Sequence, residues 1–134
     1  MTTLTIHDLD GGALAFDLRD LIRALAPLSL AATWTITSPD ESSFEATGVG
    51  GRRLEELAEA SARIAGDELL IIAADTVQVI WGDFVGASPD DPHREWLTIR
   101  AFDSSFYEVE TLDADAIAKV KSRFSDVRIA EDTH

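Results

Sequence analysis

Trp96-Leu97-Thr98-Ile99-Arg100-Ala101-Phe102-Asp103-Ser104-Ser105-Phe106-Tyr107-Glu108-Val109-Glu110 reads as two strands folded back on each other. Both arms carry the two-residue alternation of a strand with one buried face. Taking Asp103-Ser104-Ser105 as a three-residue hairpin loop pairs Phe102 with Phe106, Arg100 with Glu108 and Ile99 with Val109. Arg100 opposite Glu108 is a favourable cross-strand charge pair and supports that register. Leu97, Ile99, Ala101, Tyr107 and Val109 then share a face that reads as core. Trp96, Thr98, Arg100, Phe102, Phe106, Glu108 and Glu110 share the opposite face, where large rings sit among charges.

Working upstream, Thr76–Val85 reads as a strand with Val77, Val79 and Trp81 on one side and Gln78, Ile80 and Phe84 on the other. That phase sends Asp83 toward the core and adds Phe84 to the mixed face. Gly86–Arg94 reads as a loop, and the apolar run Leu69–Ala73 as a buried strand, which completes a four-strand meander.

The N-terminal half alternates sheet and helix signals. Residues 2–6 form a strand, ended by Asp8-Leu9-Asp10-Gly11-Gly12. A helix runs from an Asp17 N-cap to Ala26 with Leu18, Leu21, Ile22 and Leu25 as its stripe, and Pro27 stops it. Leu30–Thr37 and Phe44–Thr47 read as strands around a turn cluster at 39–43. A second helix spans Arg52–Ala65 with Gly66 just beyond its end. The last helix starts near Asp113, buries Ile117, Val120 and Phe124, and ends among Lys119, Lys121 and Arg123, cations that suit the negative helix terminus. Residues 126–129 add a short strand, and 131–134 are a frayed tail. The expected fold class is α+β: residues 1–134 as one domain, with a largely antiparallel β-sheet, its C-terminal four-strand meander included, packed with about three helices.

Composition narrows the function classes. The chain has 134 residues, no cysteine and a net charge of −14. Thiolate chemistry and disulfides are excluded. Such acidity opposes phosphate backbones and anionic lipid surfaces, so neither a nucleic acid nor a membrane is an expected partner. The N-terminus lacks the basic and apolar regions of a signal peptide, and a cytoplasmic location is expected.

No catalytic constellation emerges. Gly48-Val49-Gly50-Gly51-Arg52-Arg53 precedes a helix, and Gly50, Gly51, Arg52 and Arg53 are the candidates for an anion cradle. Arg53 stands where a dinucleotide fingerprint needs its third glycine. His93, beside Asp90-Asp91-Pro92, has no companion at metal-ligand spacing, and the Asp8–Gly12 stretch lacks the closing glutamate of a calcium loop. No serine nucleophile motif is present. Asp83, if buried, is the single carboxylate suited to acid or base work. Accordingly no enzyme activity, metal or cofactor is expected.

The mixed face is instead the candidate site for protein binding, through Phe84, Trp96, Arg100, Phe102, Phe106, Glu108 and Glu110. Residues 67–118 hold twelve acids against two bases, −10 of the total charge, which favours a basic protein partner. A concrete form is an immunity-type inhibitor of a nuclease or another basic toxin. The alternatives are an anion or small-ligand domain built on Gly50–Arg53, a homodimer closing over the mixed face, and an enzyme using Asp83. The docking reading requires its rings to share one reachable face.

Overall fold

The computed structural model describes residues 2–39 and 43–130. Residues 40–42 of the expected turn cluster and the 131–134 tail lie outside the described residues. In chain order the elements are β1 (Thr2–Ile6), β2 (Leu9–Asp10), β3 (Ala13–Leu14), α1 (Leu18–Ala24), α2 (Leu28–Ala31), β4 (Thr33–Thr37), β5 (Glu45–Thr47), α3 (Gly48–Glu59), β6 (Arg63–Ala65), α4 (Gly66–Ala74), β7 (Gln78–Ser88), β8 (Asp91–Phe102), β9 (Phe106–Thr111), α5 (Ala114–Arg123) and β10 (Val127–Ala130).

An antiparallel sheet runs β10-β1-β9-β8-β7-β4-β6, and β5 pairs with the first part of β7. The fold is α+β with a large antiparallel sheet, as the sequence implies. The hairpin that decided the reading has the expected register, with Phe102↔Phe106, Arg100↔Glu108 and Ile99↔Val109. Asp103 and Ser104 take positive φ, 49° and 60°, which closes its three-residue loop. Short polar residues tolerate that region best after glycine. The small β2–β3 hairpin turns through Gly11 and Gly12 at φ 61° and 86°, the two left-handed residues of a tight hairpin loop.

One core cluster joins the inner side of the sheet to the helices. Leu4, Ile6, Val109, Tyr107, Ile99, Phe84, Trp34 and Ile36 point into it from the strands. Leu21 and Ile22 of α1, Leu54 of α3, Leu69 of α4 and Val120 of α5 meet them. The helices therefore occupy one side of the sheet, and the other side carries none among the described residues.

Several boundaries differ from the sequence reading. Leu69–Ala73 is helix rather than strand, so the meander has three strands, β7–β9. Leu69 and Ala73, one turn apart, are buried while Ile71 between them is 67% exposed. A five-residue apolar run has no period of its own. Asp67 and Glu68 in the first turn were the available helix signal. The second helix starts earlier than expected and ends at Glu59. The chain then reverses through Ser61, at φ 48°, into β6, so Gly66 opens α4 instead of closing a helix. The expected loop at 86–94 is mostly sheet, because β7 reaches Ser88 and β8 begins at Asp91.

Candidate functional site

Two irregularities decide which side chains face outward. Along β5 and β7, Glu45 pairs with Trp81 but Ala46 with Val79, so Ile80 is an additional residue. Along β7 and β8, Gly86 pairs with Leu97 but Ala87 with Glu95, so Trp96 is likewise additional. Each bulge reverses the inward–outward alternation beyond it.

The consequences correct the sequence reading at Phe84, Asp83 and Trp96, and at Trp81, which stands outside in register with Phe102. Phe84 pairs with Ile99 and is fully buried on the core side. It packs edge-on against Phe44, with ring centroids 5.7 Å apart. Asp83, expected toward the core, instead stands on the helix-free side in register with Arg100. Trp96 leaves the mixed face: its ring meets the buried Trp34 at 6.0 Å, and its indole N–H donates to Asp113 Oδ2 at 2.8 Å. The docking set as read from sequence is thus divided between the two sides of the sheet.

What remains outside is a more ordered surface. Arg100, Phe102, Phe106, Glu108 and Glu110 share the helix-free side, joined by Trp81 of β7 and by Thr3 and Thr5 of β1. Four rings form a row across neighbouring strands. Trp81 meets Phe102 edge-on at 6.2 Å, Phe102 stacks on Phe106 at 4.8 Å and 11°, and His7 stacks on Phe106 at 5.0 Å. All four are partly exposed.

A charged band runs beside the row. Arg100 Nη1 donates to Glu108 Oε1 at 2.8 Å, and its Nη2 lies 3.7 Å from Glu110 Oε1. Glu110 also accepts from Thr3 Oγ1 at 3.4 Å. Arg100, Glu108 and Glu110 keep 30%, 21% and 31% of their side-chain surface in solvent, so the band is ordered yet accessible. With Asp83 alongside, this part of the face carries three acids and one base.

Sequence reasoning missed Trp81 and His7. The Ile80 bulge hid the first. The second lies just past the end of β1, and only the β1–β9 pairing brings it over Phe106.

The glycine turn has an occupied backbone. Gly50 N–H donates to the Asp75 carbonyl at 2.9 Å. A Cβ on Gly50 would collide with the Ile72 carbonyl, and one on Gly51 would come within 2.7 Å of the Ala46 backbone. These glycines seat α3 against the end of α4 and against β5. Arg52 is exposed, and Arg53 pairs with Glu56 at 3.5 Å.

Asp113 links the meander to α5. Its carboxylate accepts from the Trp96 indole and, as the N-cap, from the Asp115 backbone N–H. The indole hydrogen bond is the leading cause of its pKa lying below the ordinary aspartate value, with the amides of α5 adding to it. Asp113→Ala is expected to lower stability by about 1–2 kcal/mol at neutral pH, measured by urea unfolding. A folded pKa below the unfolded one gives stability that is complete above about pH 4 and lost as pH falls further. The gap between the parent and Asp113→Ala should therefore narrow toward pH 3.

No helix among the described residues is long and apolar enough to cross a membrane. Compared with protein-family models, with curated proteins and with solved structures, the chain matches none.

Proposed function

We propose that the helix-free side of the sheet docks a basic protein, with the row Trp81–Phe102–Phe106–His7 as its centre. The observation that carries this reading is that row itself: four stacked or edge-on rings, partly exposed, on a side of the sheet where no helix lies among the described residues. An antiparallel sheet tolerates one wet face, but such a face is ordinarily polar. Rings held in a row beside carboxylates suit arginine and lysine side chains. Their charged heads pair with Asp83, Glu108 and Glu110 while their stems and guanidinium planes lie on the aromatic faces.

Charge selects among occupants. The three meander strands and their loops, residues 78–111, carry seven acids against two bases, a net −5. Two copies of this surface would repel each other, which disfavours a homodimer, and the chain is expected to run as a monomer in light scattering at about 100 μM. The most concrete form of the proposal is an immunity-type inhibitor seated on a nuclease or another basic toxin in the cytoplasm.

Position-resolved crosslinking tests it. A photoreactive phenylalanine analogue is placed at Val85, on the outer face beside Asp83, and separately at Ala118 on the exposed side of α5. Crosslinking in the native cell from position 85 to one basic protein, absent from position 118 and weakened by added salt, is the expected result. Crosslinks to a second copy of the chain, equal yields from both positions, or none from position 85 would reject the proposal.

A further inference from the structure

Among the described residues, three buried side-chain polar atoms lack a hydrogen-bond partner: Asp17 Oδ1, Arg19 Nε and the Tyr107 hydroxyl. All three residues line the same cavity of about 340 Å³. It opens on the helix side of the sheet, between the β2–β3 hairpin, the start of α1 and the start of β7. It is separate from the aromatic row.

Unpaired buried polar atoms are uncommon, and three on residues that line one cavity are more so. An arginine and a carboxylate left to themselves favour a two-pronged pair. Here Arg19 Nη2 reaches only Asp17 Oδ2, at 3.3 Å, so the second oxygen of one group and the Nε–H of the other stay unused. Tyr107 is 1% exposed. Burial, with the Asp17 charge adding to it, pushes its phenol well above the ordinary value, so it stays protonated and can donate. The Leu18 backbone amide opposes that shift from nearby but lies outside hydrogen-bond geometry. Burial and the neighbouring Asp20 raise the Asp17 pKa, and Arg19 opposes them. A donor brought to Asp17 Oδ1 would relieve that desolvation.

The remaining wall sets Leu14, Phe16, Val77 and Val79 beside two further polar side chains, Asp20 and Gln78. An acceptor and two donors thus stand in a wall of mixed polar and apolar side chains, a composition open to a small polar molecule. Arg19 balances Asp17, and Arg123 lies 3.8 Å from Asp20 Oδ1, so a ligand need bring no net charge.

We infer that this cavity binds a small neutral molecule whose edge presents an N–H beside a carbonyl oxygen, as in a cyclic amide or ureide. The N–H donates to Asp17 Oδ1, the carbonyl oxygen accepts from Arg19 Nε and the Tyr107 hydroxyl, and the ring lies on Phe16 and Val79.

Amide chemical shifts of the full chain, titrated with uracil and separately with 2-pyrrolidone, test this assignment, with zwitterionic alanine as the comparison. The expected result is saturable shifts confined to residues 13–20 and 77–79 for the two neutral probes. Tyr107→Phe, which keeps the packing and removes only the hydroxyl, should weaken them at least tenfold, about the loss of one buried polar partner. Arg19→Met, at the half-exposed mouth, should do the same if Tyr107→Phe fails to fold. The inference is overturned if neither neutral probe shifts these residues, if both variants bind like the parent, or if alanine binds in their place.

Discussion

Trp34→Ala is expected to lower the unfolding free energy by about 3–5 kcal/mol, the usual range for emptying a buried aromatic site. Trp34 is fully buried on β4, between the sheet and the helices. Its indole N–H donates to the Ser29 carbonyl at 2.9 Å, and its ring meets Trp96 edge-on. The opposing strand makes room for it: a Cβ on Gly86 would come within 3.0 Å of the indole ring. The substitution therefore removes a large apolar volume and a ring pair, and leaves a buried carbonyl without its donor. Domains of this size are commonly stable by about 5–15 kcal/mol, so the variant should stand near its threshold. Urea unfolding followed by far-ultraviolet circular dichroism measures the change, and a loss below about 1 kcal/mol would contradict this account of the core.

Phe102→Ala should have the opposite profile. Phe102 is the middle ring of the outer row, stacked on Phe106 and edge-on to Trp81, and it is only partly buried. Its truncation should cost no more than about 1 kcal/mol of stability, as for an exposed cross-strand pair. Against the basic partner the loss should be at least about 2 kcal/mol, roughly thirtyfold in Kd, because rings at the centre of an interface carry most of its affinity. Titration of the parent and the variant against the protein crosslinked from position 85 measures this, with a melting curve as the folding control. A change under about threefold in Kd would place the contact elsewhere on the chain.

The hairpin was legible because its two arms are nearly regular and its loop is short. Arg100 and Glu108 had to face each other, and the alternation of Leu97, Ile99 and Ala101 against Tyr107 and Val109 marked the core side. The Asp17 N-cap, the start of α5 after Asp113 and the short strand before the tail were legible for the same reason, because local chemistry specifies them. The faces of Phe84, Asp83 and Trp96 were not. Alternation counted along one strand cannot reveal an additional residue that exists only relative to a partner strand, and Ile80 and Trp96 are such residues.

The cavity at Asp17, Arg19 and Tyr107 was still less accessible, since its groups come from the start of α1 and from β9, about two thirds of the chain apart. By itself the sequence determined the class of fold, the pairing of β8 with β9 and a net charge of −14. Tertiary structure alone decided which rings face solvent and which polar atoms converge, because strand-to-strand register and helix packing are relations between distant segments that no local pattern encodes.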